Sequence, residues 1–359
     1  MKPSIAFFGS SLVSAYWNGA ATYYRGVIRA LAERGFSVTF YEPDAYGRQA
    51  HRDIPDPDWA TVVVYSADES GVGRALQQAH SADVIVKATS VGVFDELLEK
   101  AVLDIKRPGA TTVFWDVDAP ATLDHLEHNP ADPLNALIPQ YDIVFTYGGG
   151  ESVMKAYRAA GARECVPIYN ALDPSTHFPA GADLRFAADL GFLGNRLPDR
   201  ETRVEEFLLG AAQRSPSSMF VLGGSGWAGK RMPANVRYVG HVHTHEHNAF
   251  NCTPRAVLNI SRDSMAKYGF SPAARVFEAA GAGACLVTDH WDGVEMFLEP
   301  GREVLVARDG AEVADLLDRL TLVRAMTIGH AARTRVLAQH TYAQRAAQVD
   351  ALLDQGVPA

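Results

Sequence analysis

The sequence predicts an α/β protein made of two doubly wound halves, each a parallel sheet with helices on both faces. Short apolar runs alternate with turn residues and helical stretches along nearly the whole chain, which is the pattern of successive βαβ units. The runs are almost continuously apolar, as strands covered on both faces require. The pattern occurs twice within 359 residues, broken once by a proline-rich stretch, which fits about 100–200 residues per domain.

In the first half the strands are expected at Ser4–Phe8, Ser37–Tyr41, Thr61–Tyr65, Val84–Lys87, Thr112–Trp115 and Ile143–Thr146. The helix Tyr23–Arg34 places Tyr24, Val27, Ile28 and Leu31 on one face, and Gly35 follows as a C-cap. From Val166 to Pro179 the periodicity lapses among Pro167, Pro174 and Pro179, as in a crossing between domains. A second strand series follows at Leu190–Leu193, Met219–Leu222, Val236–Val239, Val257–Ile260, Cys285–Thr288 and Val304–Ala307. The tail Leu322–Leu353, rich in Ala, Arg, Gln and Leu, reads as helix.

The expected organisation is a first Rossmann-like domain over residues 1–168 and a second over 180–335. A helical segment, 336–359, should pack back on the first through Tyr342, Ala346, Val349 and Leu353. Sheets of this kind hold ligands at the carboxyl ends of their strands, here in a cleft that the two domains face and close over.

Composition narrows the function classes. A net charge of −9 argues against nucleic acid and anionic membranes as partners, whose binders present basic surfaces. No run approaches the ~18 apolar residues of a membrane span. The run Ile5-Ala6-Phe7-Phe8 is cut by Gly9, with Tyr16-Trp17-Asn18 where a cleavage site needs small residues. The expectation is a soluble, cytoplasmic protein. Cys165, Cys252 and Cys285 are too scattered for a disulfide framework or a metal-ligand pair and read as buried thiols.

Four constellations in the second half carry chemistry. Gly194-Asn195-Arg196 after the strand Leu190–Leu193, with Arg200 four residues on, suits a diphosphate met by backbone N–H groups and a guanidinium. The plain alternative is a βα turn with a surface arginine. The loops Gly223-Gly224-Ser225-Gly226-Trp227 and Gly240-His241-Val242 can bring main chain close to a flat base. The first of them does not space as GxGxxG and lacks the acidic residue about 20 positions on, which disfavours NAD.

The third constellation is Arg262 and Lys267 followed by a helix expected to start at Ser271-Pro272 and to carry Arg275 and Glu278 on one face. A carboxylate there accepts ribose hydroxyls and an arginine meets phosphate; the competing reading is an i,i+3 surface ion pair. The fourth is the turn Asp289-His290-Trp291-Asp292-Gly293, where a new helix should begin and meet donor-sugar hydroxyls. The run His241-Val242-His243-Thr244-His245-Glu246-His247 imitates a metal cluster, but loop crowding gives it no set geometry, and no metal is expected. In the first domain, Ser10, Trp17, Asn18 and Gly19 flank the first strand's end on the acceptor side. Asp118 follows the fifth strand, as a base or as a helix cap.

The segments Tyr238-Val239-Gly240-His241, Leu258-Asn259-Ile260-Ser261-Arg262 and Arg275-Val276-Phe277-Glu278-Ala279-Ala280-Gly281 resemble the CgeB-like, spore-maturation-type glycosyltransferases. So do Pro300-Gly301-Arg302-Glu303-Val304-Leu305 and His340-Thr341-Tyr342. These enzymes are related to the large retaining group of GT-B architecture, two Rossmann-like domains facing across a cleft. The likeness covers about residues 185–353 well and the first half loosely. It implies that Glu278 holds the nucleotide ribose and that the basic turn at Arg196 holds the diphosphate. Eight positions before the ribose-binding residue the wider group often carries a glutamate; this chain has Phe270, so donor-sugar contacts fall to the turn Asp289–Glu295.

The expected activity is transfer of a hexose from a nucleoside diphosphate sugar, UDP foremost, to a small-molecule, glycan or protein acceptor, without a cofactor. A sugar-nucleotide epimerase would need several carboxylates and a histidine convergent in the first domain, where only Asp116 and Asp118 lie close in sequence. A non-catalytic sugar-nucleotide binder would keep the third and fourth constellations alone.

Overall fold

The computed structural model describes residues 2–16, 18–89 and 92–354. The chain forms two compact units, Met1–Tyr169 with Tyr342–Ala359, and Asn170–Thr341.

The first unit is built on a seven-stranded parallel sheet in the order β3-β2-β1-β4-β5-β6-β7. Its strands are β1 Ser4–Phe8, β2 Ser37–Asp44, β3 Thr61–Ser66, β4 Val84–Ala88, β5 Thr111–Asp116, β6 Ile143–Thr146 and β7 Cys165–Pro167. Burial on both faces shows in β1 itself: Phe7 stacks on Phe40 on one side and Phe8 on Tyr41 on the other. The run Val166-Pro167, expected in the crossing segment, is instead the edge strand of this sheet. Proline lacks a donor, and an edge strand is where a sheet tolerates it.

The helical tail runs as Leu322–Gln339 in the second unit and Tyr342–Asp354 in the first, the latter being the segment expected to pack back on the first domain. They break at His340–Thr341, where the His340 carbonyl accepts the Leu172 amide at 2.8 Å and Thr341 bridges Leu172. The helix Tyr342–Asp354 lies on the helix Ala21–Glu33. The Tyr342 ring covers Gly26, where a Cβ would come within 2.2 Å of it, and Asp350 takes Arg34 at 2.7 Å.

The second unit has six parallel strands in the order β10-β9-β8-β11-β12-β13. They are β8 Leu190–Leu193, β9 Phe220–Gly223, β10 Val236–Gly240, β11 Ala256–Asn259, β12 Leu286–Asp289 and β13 Leu305–Ala307. One face packs on Val204, Leu208, Val313 and Leu317, the other on Phe186, Val242 and Phe250. In both sheets the strand order reverses beside the first strand, between β1 and β4 and between β8 and β11. Such reversal points are where open α/β sheets take ligands, at the carboxyl ends of the strands.

Candidate functional site

Parallel pairing carries the loops after β8, β9, β10, β11 and β12 to one edge of the second unit. Gly194, Asn195 and Arg196 follow β8; Gly224 and Trp227 follow β9; His241 and Val242 follow Gly240, the last residue of β10. These loops are tied to one another. Gly194 N donates to Gly223 O at 2.9 Å, Arg196 N to Ser225 O at 2.9 Å, Gly224 N to Gly240 O at 2.7 Å and Ser225 N to Asn195 Oδ1 at 2.9 Å. Gly224 adopts φ +121°, and a Cβ there would lie 2.3 Å from the Gly194 carbonyl oxygen, so only glycine allows this approach.

The expectation of open backbone amides after β8 is therefore corrected: Gly194 N and Arg196 N are spent on the neighbouring loop. Trp227, read as a nucleotide contact, is 1% exposed and donates Nε1 to the Gly194 carbonyl at 2.8 Å. It braces the loop from within the core. Val242 is also buried, and the ring of His247 stands 3.3 Å from its carbonyl oxygen.

With Gly194 N and Arg196 N committed, much of the capacity for an anion passes to the arginines. Arg196 is paired with Glu201 at 2.7 Å and Arg262 with Asp199. Among the described residues Arg200 makes no side-chain ion pair: its Nη2 donates to the Asn195 carbonyl at 2.7 Å, its guanidinium lies 5.6 Å from the Phe192 ring, and its buried Nε has no hydrogen-bond partner. Burial, then Arg275 and Arg262, push its guanidinium down to about 10, still charged at neutral pH. Like charges held together in a half-buried place are relieved by a bound anion. Sequence spacing favoured Arg196; the signal for Arg200 was its position in the first turn of the helix Pro198–Val204, beside the loops at this sheet edge. Lys267 is exposed, 5.4 Å from the Tyr268 ring.

Glu278 sits on the helix Ala274–Gly281 with its side chain 17% exposed. Burial opposes its charge, but His177 foremost, then Arg275 and His247, outweigh burial and hold the carboxyl below the ordinary glutamate range. His177 Nε2 stands 3.9 Å from Oε1. Burial pushes the Arg275 guanidinium down, with Glu278 opposing. An ionised carboxylate is a strong acceptor for two vicinal hydroxyls. Sequence spacing supplied Arg275 and Glu278 but not the histidines, which come from 101 positions before (278 − 177) and 31 before (278 − 247).

The helix begins at Ala274, not at Ser271-Pro272. Ser271 Oγ turns back to the Gly269 carbonyl at 2.9 Å, and Phe270 adopts φ +46°, so the chain cannot enter the helix there. The turn after β12 also differs from expectation: only a three-residue 3-10 turn, Val294–Met296, follows Gly293. Asp289 is fully buried. It receives Ser261 N at 3.1 Å and Arg203 Nη2 at 2.6 Å, and burial raises its carboxyl against these partners. Trp291 is buried, its Nε1 bonded to Thr288 Oγ1 at 3.3 Å. Both frame the turn; Asp292 is its exposed carboxylate and Gly293 its hinge at φ +90°.

In the first unit, Ser10 and Asn18 spend their side chains on the loop itself. Ser10 Oγ donates to Asn18 Oδ1 at 2.8 Å, and Asn18 Nδ2 donates to the Ser11 and Ser14 carbonyls at 2.8 and 3.0 Å. Gly19 is exposed with open space around it. Trp17 lies outside the described residues. Asp118 precedes the helix Ala119–His128, yet its carboxylate does not cap that helix. Its amide bonds Asp116 Oδ1 at 2.9 Å; Asp116 is fully buried under Tyr157 and Thr89, and burial raises its carboxyl.

Residues 200–351 match a family described as glycosyl transferase-like. Solved structures match over nearly the whole length. HepE from Anabaena, in complex with UDP and glucose, is 16% identical with a TM-score of 0.69, covering 99% of this chain and 100% of that one.

The fold is GT-B.

Two further GT-B structures match it. Sucrose-phosphate synthase from Thermosynechococcus elongatus is 14% identical, TM-score 0.69, covering 99% of each chain. An alpha-glucosyltransferase solved with UDP and a 13-mer DNA is 13% identical, TM-score 0.70, covering 98% of this chain and 99% of that one. At these identities the likeness is one of fold. No curated protein matches the chain by sequence. The family match within this GT-B chain takes in Arg200, Arg262, Arg275, Glu278 and Asp289. Among the described residues no helix is long and apolar enough to cross a membrane.

Proposed function

We propose that this protein is a glycosyltransferase of the CgeB-like kind, moving a hexose from a nucleoside diphosphate sugar, UDP foremost, to an acceptor nucleophile. The observation that carries it is the Glu278 carboxylate, kept ionised by His177, Arg275 and His247 on the same sheet edge as the under-partnered Arg200. A carboxylate for ribose and a guanidinium cluster for diphosphate are the two recognition elements a sugar nucleotide needs. Both fall within the glycosyl transferase-like segment.

In this reading Glu278 accepts the ribose hydroxyls, and the loops at Gly224, Gly240, His241 and Val242 flank the base. Arg200, with Gly194, Asn195, Arg196, Arg262, Lys267 and Arg275, surrounds the diphosphate, and the turn Asp289–Gly293 meets the sugar. Asp118 serves as base or orients the acceptor, beside Gly19 and the loop that Ser10 and Asn18 hold. The reaction needs no metal and no cofactor, and the protein works in the cytoplasm on a small-molecule, glycan or protein acceptor. An epimerase would draw on Asp116 with Asp118, and Asp116 is already engaged by Tyr157 and Thr89.

Thermal shift across nucleoside diphosphate sugars, followed by assay of UDP release from the best donor, tests this reading. Stabilisation by UDP-sugars with turnover supports the transferase; stabilisation without turnover leaves a binder; no stabilisation by any of them overturns the proposal.

A further inference from the structure

Phe270 is an aromatic residue in an unusual place. It adopts φ +46°, a left-handed conformation uncommon for a residue other than glycine, Asn or Asp. The conformation is imposed by the turn after β12. Phe270 N donates to the Asp292 carbonyl at 2.6 Å, and Gly269, at φ +66°, lies so close to Asp292 that a Cβ would come within 2.8 Å of the Asp292 Cβ. The ring lies against Gly293: a Cβ at that position would be 2.1 Å from Phe270 Cδ1 and 2.5 Å from Cε1. Residues 269–270 and 292–293 thus form one clasp, with a half-buried ring supported from beneath by a residue that has no side chain.

The clasp lies at the carboxyl end of β12, next to β11, whose following loop carries Arg262. Such strain, held by the surrounding structure rather than by the residue's own preference, collects where a side chain must be aimed. An aromatic face supports the C–H face of a pyranose, and the exposed carboxylates of Asp292 and Glu295 in the adjoining turn accept hydroxyl protons. Those carboxylates repel a negatively charged sugar. Arg203, reaching over from the helix Pro198–Val204, is already bound to Asp289 at the start of this turn.

We infer that Phe270 is the platform on which the donor sugar stacks and that, with Asp292, it selects neutral hexosyl donors over uronosyl ones. This rests on the proposed donor site. It deepens that site by naming the residue and the sugar class.

The test is calorimetry of UDP, UDP-glucose, UDP-galactose and UDP-glucuronate on wild type, Phe270→Tyr and Phe270→Asn. Asparagine tolerates the left-handed backbone, so this variant removes the ring while sparing the turn. In wild type at least one neutral UDP-sugar binds more tightly than UDP, and UDP-glucuronate binds no more tightly than UDP. Phe270→Asn lowers affinity for that neutral donor about 3- to 10-fold and leaves UDP within about twofold; Phe270→Tyr restores the neutral donor. Equal losses for UDP and UDP-sugar, no loss for either, or tightest binding of UDP-glucuronate would overturn the inference. Wild type that binds no UDP at all overturns the donor-site reading itself, which separates the two failures.

Discussion

His177 Nε2 stands 3.9 Å from Glu278 Oε1, although 101 positions separate the two in sequence (278 − 177). The contact gives Glu278 a charge that burial alone would suppress, since His177 is the largest influence holding its carboxyl below the ordinary range. A depressed carboxyl stays ionised above the ordinary glutamate value of about 4.3 and gives up its charge only as pH falls through the lower, folded value. The Glu278 carboxylate of the wild type should therefore stay ionised as pH falls from about 7 to about 5. His177→Gln should shift the acid loss of UDP binding to higher pH, followed by calorimetry at each pH. An unshifted acid limb would remove His177 from the account.

Arg200 should be the residue that feels a diphosphate most. Inorganic pyrophosphate at about 100 times its Kd should stabilise the wild type by about 2.7 kcal/mol, read as a rise in Tm. In Arg200→Met more than half of that rise should disappear, while Arg196→Met, which only frees Glu201 from one partner, loses less. The reverse order would return the diphosphate to the turn favoured by sequence spacing.

Asp118→Asn should lower donor turnover by about 100-fold or more, measured as UDP release, with UDP affinity near that of wild type. Its carboxylate does not cap the helix it precedes, and Tm read beside turnover separates lost chemistry from lost fold. Normal turnover would make Asp118 a bystander in the reaction.

The cysteines offer a check on packing. Burial pushes the Cys165 and Cys285 thiols up to about 12 and raises Cys252, which is less buried. At about pH 8 the native protein should alkylate slowly, Cys252 first, and all three should react at once in denaturant. Fast native labelling of Cys165 or Cys285 would contradict the burial that the two sheets imply.

Much of the fold was legible because strand signals in doubly wound sheets are local. Every predicted strand overlaps an observed one with its ends within three residues, from β1 at Ser4–Phe8 to β13 at Leu305–Ala307. The strand β7 was not legible: it contains a proline, spans three residues and depends on β6, a partner remote in sequence. Within the site, residue type pointed to Arg275 and Glu278. It did not reveal that Trp227 and Asp289 are buried, that Gly194 N and Arg196 N are spent on β9 and its loop, or that Phe270 is pinned against Gly293. Those facts arise from loops meeting at a sheet edge, which no spacing within one loop encodes.

The central claim is that Glu278 holds the ribose of a sugar nucleotide. Calorimetry of UDP with Glu278→Ala, beside wild type of equal Tm, tests it most directly. The account predicts a loss of about 2–3 kcal/mol of UDP affinity, the worth of charge-assisted hydrogen bonds to two hydroxyls. Glu278→Ala that folds normally and binds UDP as tightly as wild type would contradict it.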